Sequence, residues 1–275
     1  MVKSRKNYDT IGVRAARSVL LELVRLLGEY RNDIAVVGGW VPSLLFENAV
    51  EKHIGSTDVD IALNHRTIDD GVYKTIHALL INRGYTEGKQ PYIFFRTVTI
   101  EGTPVEVEVD FLAGEYQGTG KSHRTQRIQD LNVRKTRGCE LAFELQDERV
   151  VVGELPGGGR DSASVKVAAI VPFIIMKGMA LHDRIKEKDA WDIYYCVRQY
   201  PGGNEKLAEV FQRHLGNKLV VEGLNKIAAK FESLAHYGPT AVADFDEVTD
   251  PEERDFRRRD AFERIHDLLS RLGAV

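Results

Sequence analysis

A chain of 275 residues with 43% hydrophobic and 29% charged side chains has the make-up of an ordinary globular protein, long enough for one large or two modest domains. Its formal net charge of −3 excludes a globally basic nucleic-acid binder and leaves only local patches to consider. No run of about 18 apolar residues occurs, so no membrane span is expected.

The chain begins Met1-Val2-Lys3-Ser4-Arg5-Lys6, basic but without an apolar stretch directly behind it, and is not read as a secretory signal. Thr10 to Tyr30 follows with Val13, Ala16, Leu20, Leu23, Leu27 and Tyr30 at three- and four-residue steps, which predicts a first helix. Ile34 to Val37 is a short aliphatic run ending in Gly38-Gly39, a buried strand closed by a turn, and Trp40 to Asn48 reads as a helix. Ser56 to Leu63 is strand-like. A third helix is expected from Asp69-Asp70 to Gly84, then a hairpin of Tyr92–Ile100 and Val105–Leu112 around Glu101-Gly102-Thr103.

Lys121 to Arg137 carries Lys121, Arg124, Arg127, Arg134, Lys135 and Arg137 against Asp130 alone. It reads either as a solvated connector or as a flexible basic arm for phosphates. Glu140–Leu145, Val150–Val152 and Val165–Ile170 are expected as strands, with a turn at Pro156-Gly157-Gly158-Gly159. From Pro172 the pattern is helical: to about Lys186, then from Lys188 through Val197, Leu207–Leu215, Val220–Leu234 and Asp255–Leu272. The expected fold class is α+β, a mixed sheet with helices followed by a helical domain, with domains over residues 1–160 and 161–275.

Chemistry concentrates around the first glycine pair. Gly38 and Gly39 leave backbone N–H groups uncovered at a predicted helix start, which suits close approach of a phosphate. Asp58 and Asp60 lie two apart on a strand, so both carboxylates project from one face while Val59 and Ile61 point the other way. Such a pair repels itself unless a cation intervenes, and Mg²⁺, which takes hard oxygen ligands and shares them with phosphates, is the natural candidate. The strictly alternating Val105-Glu106-Val107-Glu108-Val109-Asp110 puts three acids on one face. Asp110, at the strand's end, is the one placed beside the pair, with Glu106 and Glu108 read as solvated neighbours. Ser56 and Thr57 contribute hydroxyls or only shape the strand entry. Eight histidines, His53 among them, pair with no Ser or Cys motif, which leaves hydrolase chemistry of that kind unsupported. Cys139 and Cys196 are isolated and expected as reduced thiols.

The ordered set of strand, Gly-Gly, helix, Asp58-x-Asp60 and a later Asp110 resembles the polymerase-beta-type nucleotidyltransferases. Over Ile34 to Arg198 it resembles more closely the AbiEii-type nucleotidyltransferases, found as toxins of bacterial toxin–antitoxin pairs. That resemblance implies a cytoplasmic enzyme that uses Mg²⁺, two ions held by Asp58, Asp60 and Asp110, to move a nucleoside monophosphate from a nucleoside triphosphate to an acceptor. It makes RNA such as a tRNA 3′ end the leading acceptor and a cognate antitoxin protein a partner. Where family members carry a basic residue close to the acidic pair, the nearest upstream cation here is Lys52.

The helical half adds a second constellation. Lys177 interrupts the apolar run Ile174-Ile175-Met176-Lys177-Gly178-Met179, where an ammonium costs free energy unless it reaches water or an anion. Arg184, Lys188, Asp189 and Asp192 follow on nearby helical turns. The resemblance assigns Lys177 and Arg184 to substrate phosphate and Lys188, Asp189 and Asp192 to orienting those cations or the second substrate, in a helical domain that closes the substrate cleft. The plainer alternative is an intramolecular ion network tying helices together. Trp191, Tyr194 and Tyr195 are expected in the core. Two other functions share these features: a small-molecule nucleotidyltransferase like the aminoglycoside-modifying enzymes, and a non-catalytic nucleotide- or partner-binding member of the fold.

Overall fold

A computed structural model describes residues 4–8, 10–68, 75–115 and 125–275. The expected helix start at Asp69-Asp70 and the basic residues Lys121 and Arg124 lie outside the described residues. Two compact units divide the chain: a sheet unit of Tyr8–Leu45 and Gly55–Ala169, and a helical unit of Phe46–Ile54 and Ile170–Val275 with the N-terminal residues through Asn7.

The sheet unit opens with α1 (Thr10–Leu26), whose Ala16, Val19, Leu20 and Leu23 are fully buried. Its buried Glu22 is neutralised by Arg83 at 2.7 Å, Arg96 at 2.9 Å and the Tyr85 hydroxyl at 3.0 Å, which ties the helix to the far side of the sheet. Strand β1 (Ile34–Val37) is buried at every position, as its unbroken apolar run requires. A 3₁₀ turn over Gly38–Trp40 and the five-residue α2 (Val41–Leu45) follow. The expected helix to Asn48 is therefore shorter, because the chain leaves the sheet unit at Phe46. Next come β2 (Asp58–Leu63), α3 (Ile76–Arg83), the two-residue β3 (Thr86–Glu87), and the expected hairpin, β4 (Ile93–Ile100) and β5 (Thr103–Ala113).

From Thr125 onward, the described part of the basic segment is neither connector nor arm. Thr125–Ile128 (β6) and Leu131–Lys135 (β7) form an antiparallel hairpin, and β7 pairs in parallel with the end of β5. The segment expected as a strand at Glu140–Leu145 is a short helix, α4 (Leu141–Glu144). The long hairpin of β8 (Gln146–Glu154) and β9 (Arg160–Ala168) absorbs the expected Val150–Val152 strand and turns at the predicted glycines. The strand order is β3-β4-β5-β2-β1-β9-β8, with β7 attached to β5 and β6 to β7. This is a mixed sheet, antiparallel at β1–β2 and β4–β5 and parallel at β2–β5 and β1–β9.

The helical unit holds α5 (Ile170–Asp183), α6 (Glu187–Gln199), α7 (Gly203–Gln212), α8 (Lys218–Lys230), α9 (Tyr237–Phe245) and α10 (Pro251–Arg271). Helix α9 was not anticipated; its sequence Tyr-Gly-Pro-Thr-Ala lacks a clear apolar period, and packing on α6 and α10 supplies what propensity does not. Gly178 on α5 and Gly223 on α8 explain each other. A methyl at Gly178 would lie 2.8 Å from the Gly223 carbonyl, so the two helices approach to backbone contact. Trp191, Tyr194 and Tyr195 are buried in this unit's core, as expected. Among the described residues no helix is long and apolar enough to cross a membrane.

Candidate functional site

The sheet unit brings a cluster of acids together on two neighbouring strands. β2 and β5 run parallel with Asp60 opposite Asp110 and Asp58 opposite Glu108. Period-two alternation then puts all four on one face, and the burial of Val59, Ile61, Val107 and Val109 on the other confirms which face is core. Asp58 and Asp60 are partly exposed, whereas Asp110 is only 6% exposed. Burial pushes the Asp110 carboxyl up to about 8; Arg134 opposes this, and the neighbouring Asp60, Glu108 and Asp58 carboxylates add to it. Glu108, read in the sequence as a solvated neighbour, is half-buried opposite Asp58 on this face. The spacing of 50 residues between the two acidic strands cannot be read as a register from sequence.

Supporting contacts fix the pair. The Ser56 hydroxyl donates to Asp58 Oδ1, and the Trp40 indole N–H donates to the Asp58 carbonyl at 2.9 Å. Gly38 has φ of +67°, and a Cβ there would overlap the Asp60 carboxylate, 2.6 Å from its Cγ. Glycine is required on both counts. Gly39 is buried in the same turn. Because α2 has only five residues, the positive end of a helix contributes less here than the sequence suggested. Gly38→Ala should cost about 1 kcal/mol in urea unfolding, because it strains the turn and displaces the Asp60 carboxylate. Unchanged unfolding would show that the turn tolerates a side chain.

Arg134, lost among the basic residues of its segment, is the feature that sequence reasoning missed. Its Nη2 lies 2.7 Å from Asp110 Oδ2. A basic residue beside Asp110, the strand neighbour of Asp60, is thus supplied from β7, far downstream in sequence. Among the described residues no group of three or more His, Cys, Asp or Glu side chains is placed to hold a metal ion. The face does carry hard carboxylate oxygens, the donor type that divalent cations take, and Asp110 Oδ1 is buried without a hydrogen-bond partner among the described residues.

The helical unit brings together a second group. Lys177 Nζ lies 2.8 Å from Asp189 Oδ1 and 2.7 Å from Asp192 Oδ2. Arg184 reaches Asp189 at 2.9 Å and Lys188 reaches Asp192 at 2.8 Å. The His53 ring closes on Asp192 at 3.0 Å, between Trp191 and Tyr195. Both aspartates are fully buried. Burial alone would raise Asp192 and lower Lys177, but the opposite charges prevail and hold both ionised: Asp192 sits well below, and Lys177 above, its ordinary value. Lys188 is pulled down by burial, which Asp192 only partly offsets.

His53 entered no motif in the sequence because its partner is 139 residues away. Burial and the Lys188 ammonium pull it down to about 4 from 6.5, against Asp192. An unfolded chain therefore takes up the proton first, so stability present above pH 6.5 is lost as pH falls towards 4. Urea midpoints of the natural chain should fall across that window, and those of His53→Gln should fall less. The comparison separates His53 from Asp110, whose raised value acts with the opposite sign.

Residues 55–271, most of the chain, match the family described as "Nucleotidyl transferase AbiEii toxin, Type IV TA system". The chain belongs to the AbiEii nucleotidyltransferase toxin family. It is accordingly a nucleotidyltransferase, of a family that operates in toxin–antitoxin systems. The matched residues include Asp58, Asp60, Asp110 and the Lys177–Asp192 cluster, while Gly38 and Gly39 precede them. No curated protein and no solved structure gives a match.

Proposed function

We propose that this AbiEii-family chain is a cytoplasmic, Mg²⁺-dependent enzyme that transfers a nucleoside monophosphate from a nucleoside triphosphate to RNA, with a tRNA 3′ end as the acceptor, and that a cognate antitoxin restrains it. The observation that carries the reading is the alignment of Asp60 with Asp110 on adjacent parallel strands, with Asp58 on the same face and Gly38 packed against Asp60. Asp58, Asp60 and Asp110 are the residues that would hold the two cations. When bound, Mg²⁺ neutralises the charge developing on a transferring phosphate and on departing pyrophosphate.

The chain's own part is positioning. Ser56 orients Asp58 by donating to one oxygen, while Gly38 leaves Asp60 the space its carboxylate occupies. Backbone N–H groups at Gly38 and Gly39 would serve the β- and γ-phosphates, and Thr57, beside them on the strand entry, would add a hydroxyl. In the helical unit, Arg184 is the most exposed cation of the cluster, its side chain 47% accessible, and suits a phosphate best. Lys177 acts with it, and Lys188, Asp189 and Asp192 orient both.

The test is incubation with each labelled nucleoside triphosphate and total RNA, with Mg²⁺ and with a chelator. Labelled RNA that requires Mg²⁺ is the expected result. Label with none of the four nucleotides, or label that survives chelation, overturns the reading. A small-molecule acceptor is favoured by one observation: Arg134 and Arg137 of the basic segment are ion-paired with Asp110 and Glu115. Label in a small hydroxylated compound and none in RNA would select that alternative.

A further inference from the structure

Strand β5 changes partner just where Asp110 lies. Up to Asp110 it pairs with β4, through Ile93, and from Leu112 it pairs with β7, through Arg134. Leu112 is two residues beyond Asp110, so Arg134 emerges beside a residue on the same face as Asp110. Tyr92 is fixed at the same junction, its carbonyl accepting from the Phe111 N–H at 3.0 Å. The Arg134 guanidinium lies over the Tyr92 ring, 5.7 Å from its centroid, and its Nη2 meets Asp110 Oδ2.

The contact is single. Asp110 Oδ1 and Arg134 Nε are both buried, and neither has a hydrogen-bond partner among the described residues. A guanidinium free to choose would close a two-bond fork on a carboxylate. Here the strand exchange and the Tyr92 ring hold it at one oxygen. An unpaired oxygen on an acid that is 6% exposed costs free energy unless a ligand supplies the missing partner.

We propose that Arg134 is a positioning residue of the acidic cluster: braced on Tyr92, it engages Oδ2 of Asp110 and keeps Oδ1 directed to a divalent cation shared with Asp58 and Asp60. This rests on the assignment of those acids to a cation. Arg134 touches neither substrate nor cation; it acts through the carboxylate. Loss of such an outer contact weakens metal affinity about 10- to 100-fold.

The experiment measures Mn²⁺ affinity of the full chain by electron paramagnetic resonance, without nucleotide, alongside circular dichroism as the check of folding. Arg134→Gln and Arg134→Ala should bind Mn²⁺ at least about tenfold more weakly. Arg134→Lys, which keeps the charge without the planar fork, should fall in between, and added guanidinium should restore affinity to Arg134→Ala. Tyr92→Phe should bind as the natural chain does, and Tyr92→Ala more weakly. Affinity within twofold of the natural chain in folded Arg134→Gln overturns the proposal, as does tighter binding. If Arg134→Gln does not fold, the same threshold applies to Arg134→Lys. Asp58→Asn distinguishes the two levels: unchanged Mn²⁺ binding there removes the cation assignment itself, whereas its loss with Arg134→Gln unaffected removes only the role of Arg134.

Discussion

Asp58→Ala should reduce nucleotidyl transfer by more than about a hundredfold, above the 10- to 100-fold that loss of an outer contact costs a metal site. The side chain is partly exposed and on the open face of β2, so its removal leaves no cavity in the core. The Ser56 hydroxyl, on a residue only 2% exposed, loses its acceptor, which costs roughly 1–2 kcal/mol. Asp58→Asn keeps an acceptor for Ser56 while removing the charge. The two variants should therefore be equally inactive but differ in stability, as read by transfer assay and urea unfolding side by side. Full activity in either places the chemistry elsewhere in the chain. Equal stability of the two would show that the Ser56 contact contributes nothing to the fold.

The largest stability effect is expected in the helical unit, where Lys177→Met should cost about 3 kcal/mol in urea unfolding. Lys177 is the bridge of its cluster, bonded to both buried aspartates. Methionine matches its length but takes one bonded ammonium away from each of the two buried carboxylates. Asp189 keeps Arg184, and Asp192 keeps Lys188 and His53, which is why the expected cost lies at the lower end for a broken buried pair. A Lys177→Met chain as stable as the natural one would mean that the ammonium is held for substrate and contributes nothing to the fold. These contacts make an intramolecular ion network that ties the helices together, with Arg184 the exposed cation at its edge.

Several parts of this molecule are legible one residue at a time. Asp58-x-Asp60 must share a face, since a strand alternates, and the buried Val59 and Ile61 agree. The β4–β5 hairpin announces itself through alternation on both sides of Glu101-Gly102. Gly38 is legible as a turn, though not as the residue whose missing methyl makes room for Asp60. The misread segments share a cause. Glu140–Leu145 is too short for any period to separate strand from helix, and the hydrogen bonds of α4 are decided by the turn before it. The basic segment was judged by its charge, but Arg134 and Arg137 meet acids brought near by β5, and β7 joins the sheet through backbone bonds that any side chains permit.

By itself the sequence determined the class of fold, the faces of the acidic strands, the helical second half and the family to which the chain belongs. These follow from local periodicity and from an ordered set of motifs. Only the tertiary structure decided that Asp60 stands opposite Asp110, that β5 trades β4 for β7 at that point, and that Arg134 and His53 meet Asp110 and Asp192. It also decided that Phe46–Ile54 belongs with the helices. Register between distant strands and the partners of buried charges depend on how whole faces pack and desolvate, and no window along the chain contains that information.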